Sequence, residues 1–173
     1  MTDLELLRSR IRDIADFPKP GITFKDLTPL LRDPSSLRLT LDLLTEPWRD
    51  KGITVIAGIE ARGFLLAPMV AERLGVGMVP LRKPGKLPWR TVAETYDLEY
   101  GTDTLEIHED AVTPEDRVLL IDDVLATGGT AGAGIRLLRR VGADVVGCAF
   151  VIELGMLAGR GLLDAPVTSI LEY

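Results

Sequence analysis

Val118-Leu119-Leu120-Ile121-Asp122-Asp123-Val124-Leu125-Ala126-Thr127-Gly128-Gly129-Thr130 is the stretch on which the reading of the chain turns. Four apolar residues suit a strand buried on both faces; two acids follow, and Ala126 to Thr130 then turn the chain into a helix. Open α/β sheets bind ligands beyond the carboxyl ends of their strands, which is where Asp122 and Asp123 fall. The glycines permit positive φ and close backbone approach, so successive N–H groups can form a concave anion site at the helix N-terminus. Thr127 and Thr130 add hydroxyl donors. The lysine of a triphosphate loop and the G-x-G-x-x-G of a dinucleotide fingerprint are both missing, so a single phosphate suits this loop better. Without its surroundings, Gly128-Gly129 reads equally well as an ordinary turn with Thr130 as cap and two solvated, exposed acids beside it.

The same rhythm extends outward. Ile53 to Ala57 precede a helical segment from Phe64 to Leu74, and further apolar runs cover Val76 to Leu81 and Val145 to Ile152. Buried strands alternating with helices give an α/β class, with a central, mainly parallel sheet flanked by helices. Ile59-Glu60-Ala61-Arg62-Gly63 is a second strand-to-helix turn that brings a charged pair to the same edge. Leu81 to Arg90 holds Arg82, Lys83, Lys86 and Arg90 with no acid between them, four cations expected to repel one another until an anion joins them. Tyr96 to Glu99 and Thr104 to Ile107 alternate in period two around Gly101-Thr102-Asp103, which predicts a hairpin projecting from the sheet. Near the start, Thr2 and Glu5 form a capping box, and Leu4, Leu7, Ile11 and Ile14 predict a helix that stops near Asp16. A proline loop, Phe17 to Gly21, follows. Asp33 and Pro34 then open a second helix whose stripe runs Leu37, Leu41, Leu44, Trp48.

The chain has 173 residues, 46% of them hydrophobic. A domain of this size buries ~70% of its unfolded surface and needs no staple. Twenty Lys and Arg against twenty-six Asp and Glu give a net charge of -6, which argues against a broad affinity for nucleic acid or for an anionic membrane. One cysteine and one histidine exclude an internal disulfide and leave a zinc site short of ligands, so metal chemistry points to magnesium on oxygen. Cys148 reads as a small core residue and His108 as a solvated loop residue. The apolar runs fall far short of the ~20 residues of a membrane span, and Met1-Thr2-Asp3-Leu4-Glu5 is no signal peptide. A soluble, cytoplasmic protein is expected.

The whole string from Val118 to Thr130 resembles the phosphoribosyl pyrophosphate signature of type I phosphoribosyltransferases. Gly58-Ile59-Glu60-Ala61-Arg62-Gly63-Phe64, Arg82-Lys83-Pro84-Gly85-Lys86-Leu87-Pro88, Tyr96 to Gly101, Phe17 to Asp26 and Glu153-Leu154 are similar to the adenine-using subgroup of that family, so the likeness spans nearly the whole chain. The resemblance implies one domain over 1–173 with the type I phosphoribosyltransferase fold, an N-terminal hood over about 1–33 and a β-hairpin lid over about 82–107. It implies that adenine and 5-phosphoribosyl 1-pyrophosphate become AMP and pyrophosphate through an oxocarbenium-like transition state, with Mg2+ held mainly by the substrate and no protein side chain as a direct ligand. A homodimer is also implied.

By that resemblance Ala126, Thr127, Gly128, Gly129 and Thr130 hold the 5′-phosphate, and Asp122 and Asp123 face the ribose and the charge developing at its anomeric carbon. Glu60, Ala61, Arg62 and Gly63 form the pyrophosphate loop with a non-proline cis peptide, and Arg82, Lys83 and Lys86 surround the same group. Phe24 and Leu154 sandwich the base, and the backbones of Thr23 and Lys25 read its edge. Glu99 handles a base proton, next to Tyr100 on the lid. Trp89 departs from the small or charged residue common after K-L-P. Two alternatives stay open: another purine or orotate phosphoribosyltransferase, or a non-catalytic regulator that senses phosphoribosyl pyrophosphate.

Overall fold

The computed structural model describes residues 2–98 and 101–173, and the chain divides into two units, Met1–Leu43 and Leu44–Tyr173. In the first, Thr2 Oγ1 accepts the Glu5 N–H at 3.2 Å and Glu5 Oε2 accepts the Thr2 N–H at 2.7 Å, so the capping box starts α1 (Asp3–Ser9) as the sequence predicts. The helix ends seven residues before Asp16. Residues Arg12–Ile14 form β1 instead, paired antiparallel with β2 (Phe24–Asp26) so that Arg12 lies opposite Asp26 and Ile14 opposite Phe24. Strand pairing and the Arg12–Asp26 ion pair, at 2.6 Å, override the helical spacing of Ile11 and Ile14, since so short a helix has little stability of its own. The proline loop closes this hairpin, with the Phe17 N–H donating to Ile22 O at 3.1 Å.

A short helix unforeseen in the sequence, α2 (Thr28–Arg32), precedes α3 (Pro34–Thr45), whose N-terminus is capped by Asp33 Oδ1 accepting the Ser36 N–H at 2.8 Å. The predicted stripe overruns at Trp48, which sits in a 3-10 turn, Glu46–Trp48. Pro47 explains the change, because its ring cannot continue an α-helix.

The second unit holds a sheet of five parallel strands. β3 (Val55–Ile59), α4 (Gly63–Leu74) and β4 (Gly77–Leu81) come first in the chain, followed by the antiparallel pair β5 (Thr91–Asp97) and β6 (Thr102–His108). β7 (Arg117–Leu125), α5 (Gly129–Arg140), β8 (Asp144–Glu153) and β9 (Val167–Glu172) complete it. The sheet order is β4-β3-β7-β8-β9. Residues 53 and 54 lie outside β3, and β9 escapes the sequence reading because Thr168 and Ser169 interrupt a short edge strand.

Two neighbours on β3 show how the layers lie. A Cβ on Gly58 would come 2.7 Å from Ala67 of α4, whereas Ile59 Cδ1 lies 3.5 Å from the Cβ position of Gly134 of α5. Successive strand residues face opposite sides, so the two helices cover opposite faces of the sheet. The chain leaves β3 toward one edge and β7 toward the other. That reversal opens a crevice between their carboxyl ends, where doubly wound sheets bind ligands.

The β5–β6 hairpin is longer than the alternation suggests, and it does not simply project. Tyr96, Leu105 and Ile107 are buried in the main core, and Glu94 of β5 accepts from Arg136 Nε at 2.7 Å and Arg140 Nη1 at 2.9 Å, both on α5. Backbone bonds between Arg82 and Glu106 tie β6 to the end of β4. Cys148 is fully buried and its thiol is pushed up to about 12 by desolvation, as a core residue should be. His108 is not a solvated loop residue: it ends β6, half-buried, with Nε2 accepting the Trp89 N–H at 3.4 Å.

Candidate active site

The crevice between β3 and β7 receives both turns singled out in the sequence. After β7 the chain passes Ala126 and Thr127 and reaches Gly128, whose φ of 84° places it in the left-handed region at the N-cap of α5. That conformation excludes most side chains and lets the first N–H groups of a twelve-residue helix face the loop's concave side. Thr127 is exposed. Thr130 Oγ1 donates to the Tyr96 hydroxyl at 3.3 Å, joining this loop to the hairpin.

The acid pair is less exposed than strand-end acids were expected to be. Asp123 is 5% exposed and Asp122 half-buried, because β7 is an inner strand and the next turn crowds it. A Cβ on Gly63 would lie 2.9 Å from Ile121 O and 3.1 Å from Asp122 Oδ1, so only glycine lets that turn pass. Asp122 Oδ1 accepts the Asp123 N–H at 2.9 Å. Burial, then the neighbouring Asp123 charge, pushes the Asp122 carboxyl well above the ordinary carboxylate range. Asp123 Oδ2 lies 2.6 Å from Arg62 Nε, a charge contact without hydrogen-bond alignment. Arg62 and Asp123, both singled out in the sequence, are thus brought together from the turn after β3 and from β7.

The bond between Glu60 and Ala61 is cis, as the resemblance implies. Glu60 accepts the Lys83 N–H at 3.0 Å and Arg82 Nε at 3.3 Å, and pairs with the Lys86 ammonium. Burial alone would raise its carboxyl, but the bonds from Lys86 and Lys83 and the nearby charges hold it below its usual value. The Lys83 ammonium pairs with Asp103 and donates to the Tyr96 hydroxyl at 3.3 Å. Desolvation works against both charges, yet those bonds leave the lysine raised and Asp103 lowered. Arg90 stands 3.7 Å from Glu109. The four cations of the basic loop therefore do not simply repel one another, because acids from the turn after β3, from β6 and from the turn after β6 meet each of them. The Gly85 N–H donates to the Glu106 carboxylate at 3.1 Å and the Trp89 N–H to the His108 ring, which holds the loop to β6, while the Trp89 side chain stays 61% exposed.

The base-facing candidates fall in both units. Leu154 follows β8 directly, with its N–H donating to Leu125 O at 2.9 Å. In the N-terminal unit, Phe24 lies edge-on to Phe17 with ring centres 5.2 Å apart, Lys25 pairs with Asp13 at 2.8 Å, and Thr23 is exposed. Glu99 and Tyr100 lie outside the described residues. Sequence reading gave no role to Asp103, Tyr96, Glu153 or Arg160, although Tyr96 and Glu153 lie in stretches similar to the family. The alternation around Asp103 and the Gly-Arg-Gly at 159–161 are the remaining signals that these stretches fold back on the site.

The phosphoribosyl transferase domain family matches residues 31–172. The chain is 54% identical over 171 residues to an adenine phosphoribosyltransferase of Methylococcus capsulatus, covering 98% of this chain and 100% of the relative. Its fold is similar to the crystal structure of adenine phosphoribosyltransferase from Rhodothermus marinus, with a TM-score of 0.95 and 55% identity over 99% of this chain and 98% of that one. It is also similar to the Saccharomyces cerevisiae adenine phosphoribosyltransferase complexed with an imino-altritol bisphosphate and adenine, at TM-score 0.93 and 39% identity, covering 98% of each chain. A crevice at the strand reversal, a glycine turn at a helix N-terminus beside two acids and relatives of this closeness agree: the chain belongs to the adenine phosphoribosyltransferase family.

Proposed function

We propose that the crevice between β3 and β7 transfers the 5-phosphoribosyl group from its pyrophosphate to N9 of adenine, giving AMP and pyrophosphate. The bond from C1′ to the pyrophosphate oxygen breaks with its electron pair leaving on pyrophosphate, N9 bonds to C1′, and the N9 proton is released. The observation that carries this reading is the turn at Ala126 to Thr130, a main-chain anion site at a helix N-terminus, set beside the partly buried Asp122–Asp123 pair and Arg62. Positive charge on the separating sugar is met by the two acids, and negative charge on the leaving group by Arg62, Arg82, Lys83 and Lys86.

In the same reading Ala126, Thr127, Gly128, Gly129 and Thr130 hold the 5′-phosphate. Asp122 and Asp123 accept hydrogen bonds from the ribose hydroxyls, the Asp122 carboxyl being pushed upward by burial and by the neighbouring Asp123 charge. Phe24 and Leu154 stack on the base. The Thr23 and Lys25 backbones select adenine over hypoxanthine by offering an acceptor to the exocyclic amine and a donor to N1. Glu99 manages the base proton next to Tyr100, and the segment from Lys83 to Glu99 closes over the substrate to exclude water. Mg2+, held mainly by the substrate, would supply neutralising charge to the leaving group, and Asp122 and Asp123, as hard oxygen donors, are the side chains suited to face it. No helix among the described residues is long and apolar enough to cross a membrane. A cytoplasmic homodimer completes the proposal.

Product formation with adenine, hypoxanthine, guanine and orotate, measured in parallel with phosphoribosyl pyrophosphate and Mg2+, tests it. Adenine should be used far better than the others, because fixed donor and acceptor groups are left unpaired or opposed by a reversed base edge. Comparable kcat/KM for hypoxanthine overturns the adenine assignment. Phosphoribosyl pyrophosphate binding without turnover of any base overturns the enzyme reading in favour of a sensor.

A further inference from the structure

Between β8 and β9 the chain makes two 3-10 turns, Gly155–Leu157 and Gly159–Leu162, joined by Ala158 with φ 52°. This connection touches the phosphate loop backbone to backbone. A Cβ on Gly159 would lie 2.7 Å from the Gly128 nitrogen and 2.8 Å from the Thr127 carbonyl carbon, and a Cβ on Gly128 would lie 3.1 Å from the Gly159 carbonyl carbon. A backbone bond from Leu154 N–H to Leu125 O ties the two segments at their base, and among the described residues none joins Gly159 to Ala126, Thr127 or Gly128. Beyond that base, their register depends on what fixes the β8–β9 connection from behind.

Arg160 does that. Its Nε donates to Glu153 Oε1 at 2.9 Å and its Nη2 pairs with Glu153 Oε2, a bidentate contact; Nη1 donates to Val167 O at 2.7 Å, and Nη2 also reaches Ser169 Oγ at 3.2 Å. Ser169 Oγ donates in turn to Glu153. Glu153, the last residue of β8, is 6% exposed, so its charge is compensated almost wholly by this one guanidinium. All three guanidinium nitrogens point at the sheet ends and are committed there.

We propose that Arg160 and Glu153 are positioning residues for the 5′-phosphate site: their ion pair clamps the connection to the ends of β8 and β9, and Gly159 in that connection braces Ala126 to Gly128. The inference rests on the functional reading above and adds to it a pair that never touches the substrate. The guanidinium fork is what makes the clamp, because a lysine at 160 would keep the charge and lose the two parallel bonds.

The test compares AMP, which uses the phosphate loop, with pyrophosphate plus Mg2+, which uses the opposite half of the crevice, by titration calorimetry on the whole protein. Arg160→Ala should weaken AMP roughly tenfold or more, since a brace displaced by a fraction of an ångström disturbs every N–H of the loop, while pyrophosphate changes less than about twofold. Glu153→Gln, nearly isosteric and the safer variant for folding, should weaken AMP in the same way. The double variant should be little worse than either single one, because both remove one contact. Arg160→Lys should recover only part of the loss. Equal loss of AMP and pyrophosphate overturns the proposal, since it would mark a general structural role. Weak AMP binding in Arg160→Ala with unchanged or tighter binding in Glu153→Gln also overturns it, because Arg160 would then be a direct phosphate ligand. Unmodified protein that binds neither ligand would instead overturn the functional reading, a result distinct from tight AMP binding by every variant, which would sink the clamp alone.

Discussion

The turn after β7 and the turn after β3 lie on neighbouring strands and, in the proposed function, serve two anionic ends of one substrate, yet they are made of different materials. Residues 126–130 include no charged side chain; what they present is main-chain N–H and hydroxyl, fixed by a left-handed glycine and by a second loop pressed against it. The turn after β3 and its basic loop work through Arg62, Arg82, Lys83 and Lys86, and in the structure each of the four meets an acid: Asp123, Glu60, Asp103 and Glu60 again. A site made of peptide dipoles carries its field permanently and depends on backbone geometry. A site made of paired side chains has to exchange partners before its charge reaches a ligand, so its affinity depends on how tightly the internal acids hold.

The largest effect expected from this contrast comes from Gly128→Ala. Alanine at φ 84° is strained by roughly 1–2 kcal/mol, and its Cβ meets the Gly159 backbone, so the loop must move. AMP affinity should fall by about two orders of magnitude while pyrophosphate binding with Mg2+ stays within about threefold. Calorimetry with both ligands decides it. Retention of AMP affinity would break the comparison, because the phosphate loop would then have room to spare.

How much of this was legible beforehand follows the same division. The glycine turn and the acid pair are contiguous in sequence, so their residue types and spacing are visible in a single window, whereas the cis bond at Glu60-Ala61 was expected only from the family resemblance. The helix α5 and the buried strands that deliver them follow from hydrophobic period alone. What a window cannot show is which distant acid meets a given cation. Asp103 lies twenty positions from Lys83 and reaches it only because β6 folds back beside the end of β4. Arg160 and Glu153 face each other across a loop whose sequence signals only turns. At the N-terminus the failure was of another kind: Ile11 and Ile14 fit a helical spacing, but the strand Phe24–Asp26 offers Arg12 to Ile14 a pairing that a short helix cannot match.

Asp103→Asn sharpens the comparison from the pyrophosphate side and has a smaller expected effect. The Lys83–Asp103 pair is about one-third exposed on each side chain, 33% and 30%, so the pair contributes at most about 1 kcal/mol. Loss of the carboxylate leaves Lys83 with the Tyr96 hydroxyl and frees its charge. Pyrophosphate with Mg2+ should bind about two- to fivefold more tightly at low salt, with the gain shrinking as salt is raised, and AMP should be unaffected. Weaker pyrophosphate binding in this variant would mean that Asp103 aims the lysine rather than competing for it.

The smallest effect is in stability against pH. Glu60 and Asp103 are both lowered from ordinary values of 4.5 and 3.8, each by its lysine and hydrogen-bond partners outweighing burial. A carboxylate with a lower pKa in the folded than in the unfolded chain takes up its proton more readily once unfolded. Its stabilising contribution is therefore complete above about pH 5 and is lost as the pH falls through the folded-state value. Because both side chains keep some exposure and the pairs are screened, the combined effect is about 1 kcal/mol or less, a shift of roughly 2–4 °C in a protein of this size. Melting temperatures between pH 7 and pH 3 should decline less steeply in the double variant Glu60→Gln, Asp103→Asn than in the unmodified chain. Gly128→Ala should shift the whole curve without altering its slope, since the phosphate loop contributes no titrating side chain. An acid limb left unchanged by the double variant, with the pairs of Glu60 to Arg82 and Lys86 and of Asp103 to Lys83 all removed, would show that the basic loop is held by the N–H groups of Gly85 and Trp89 on the Glu106 and His108 side chains instead of by these ion pairs, and the contrast between the two halves would lose its electrostatic basis.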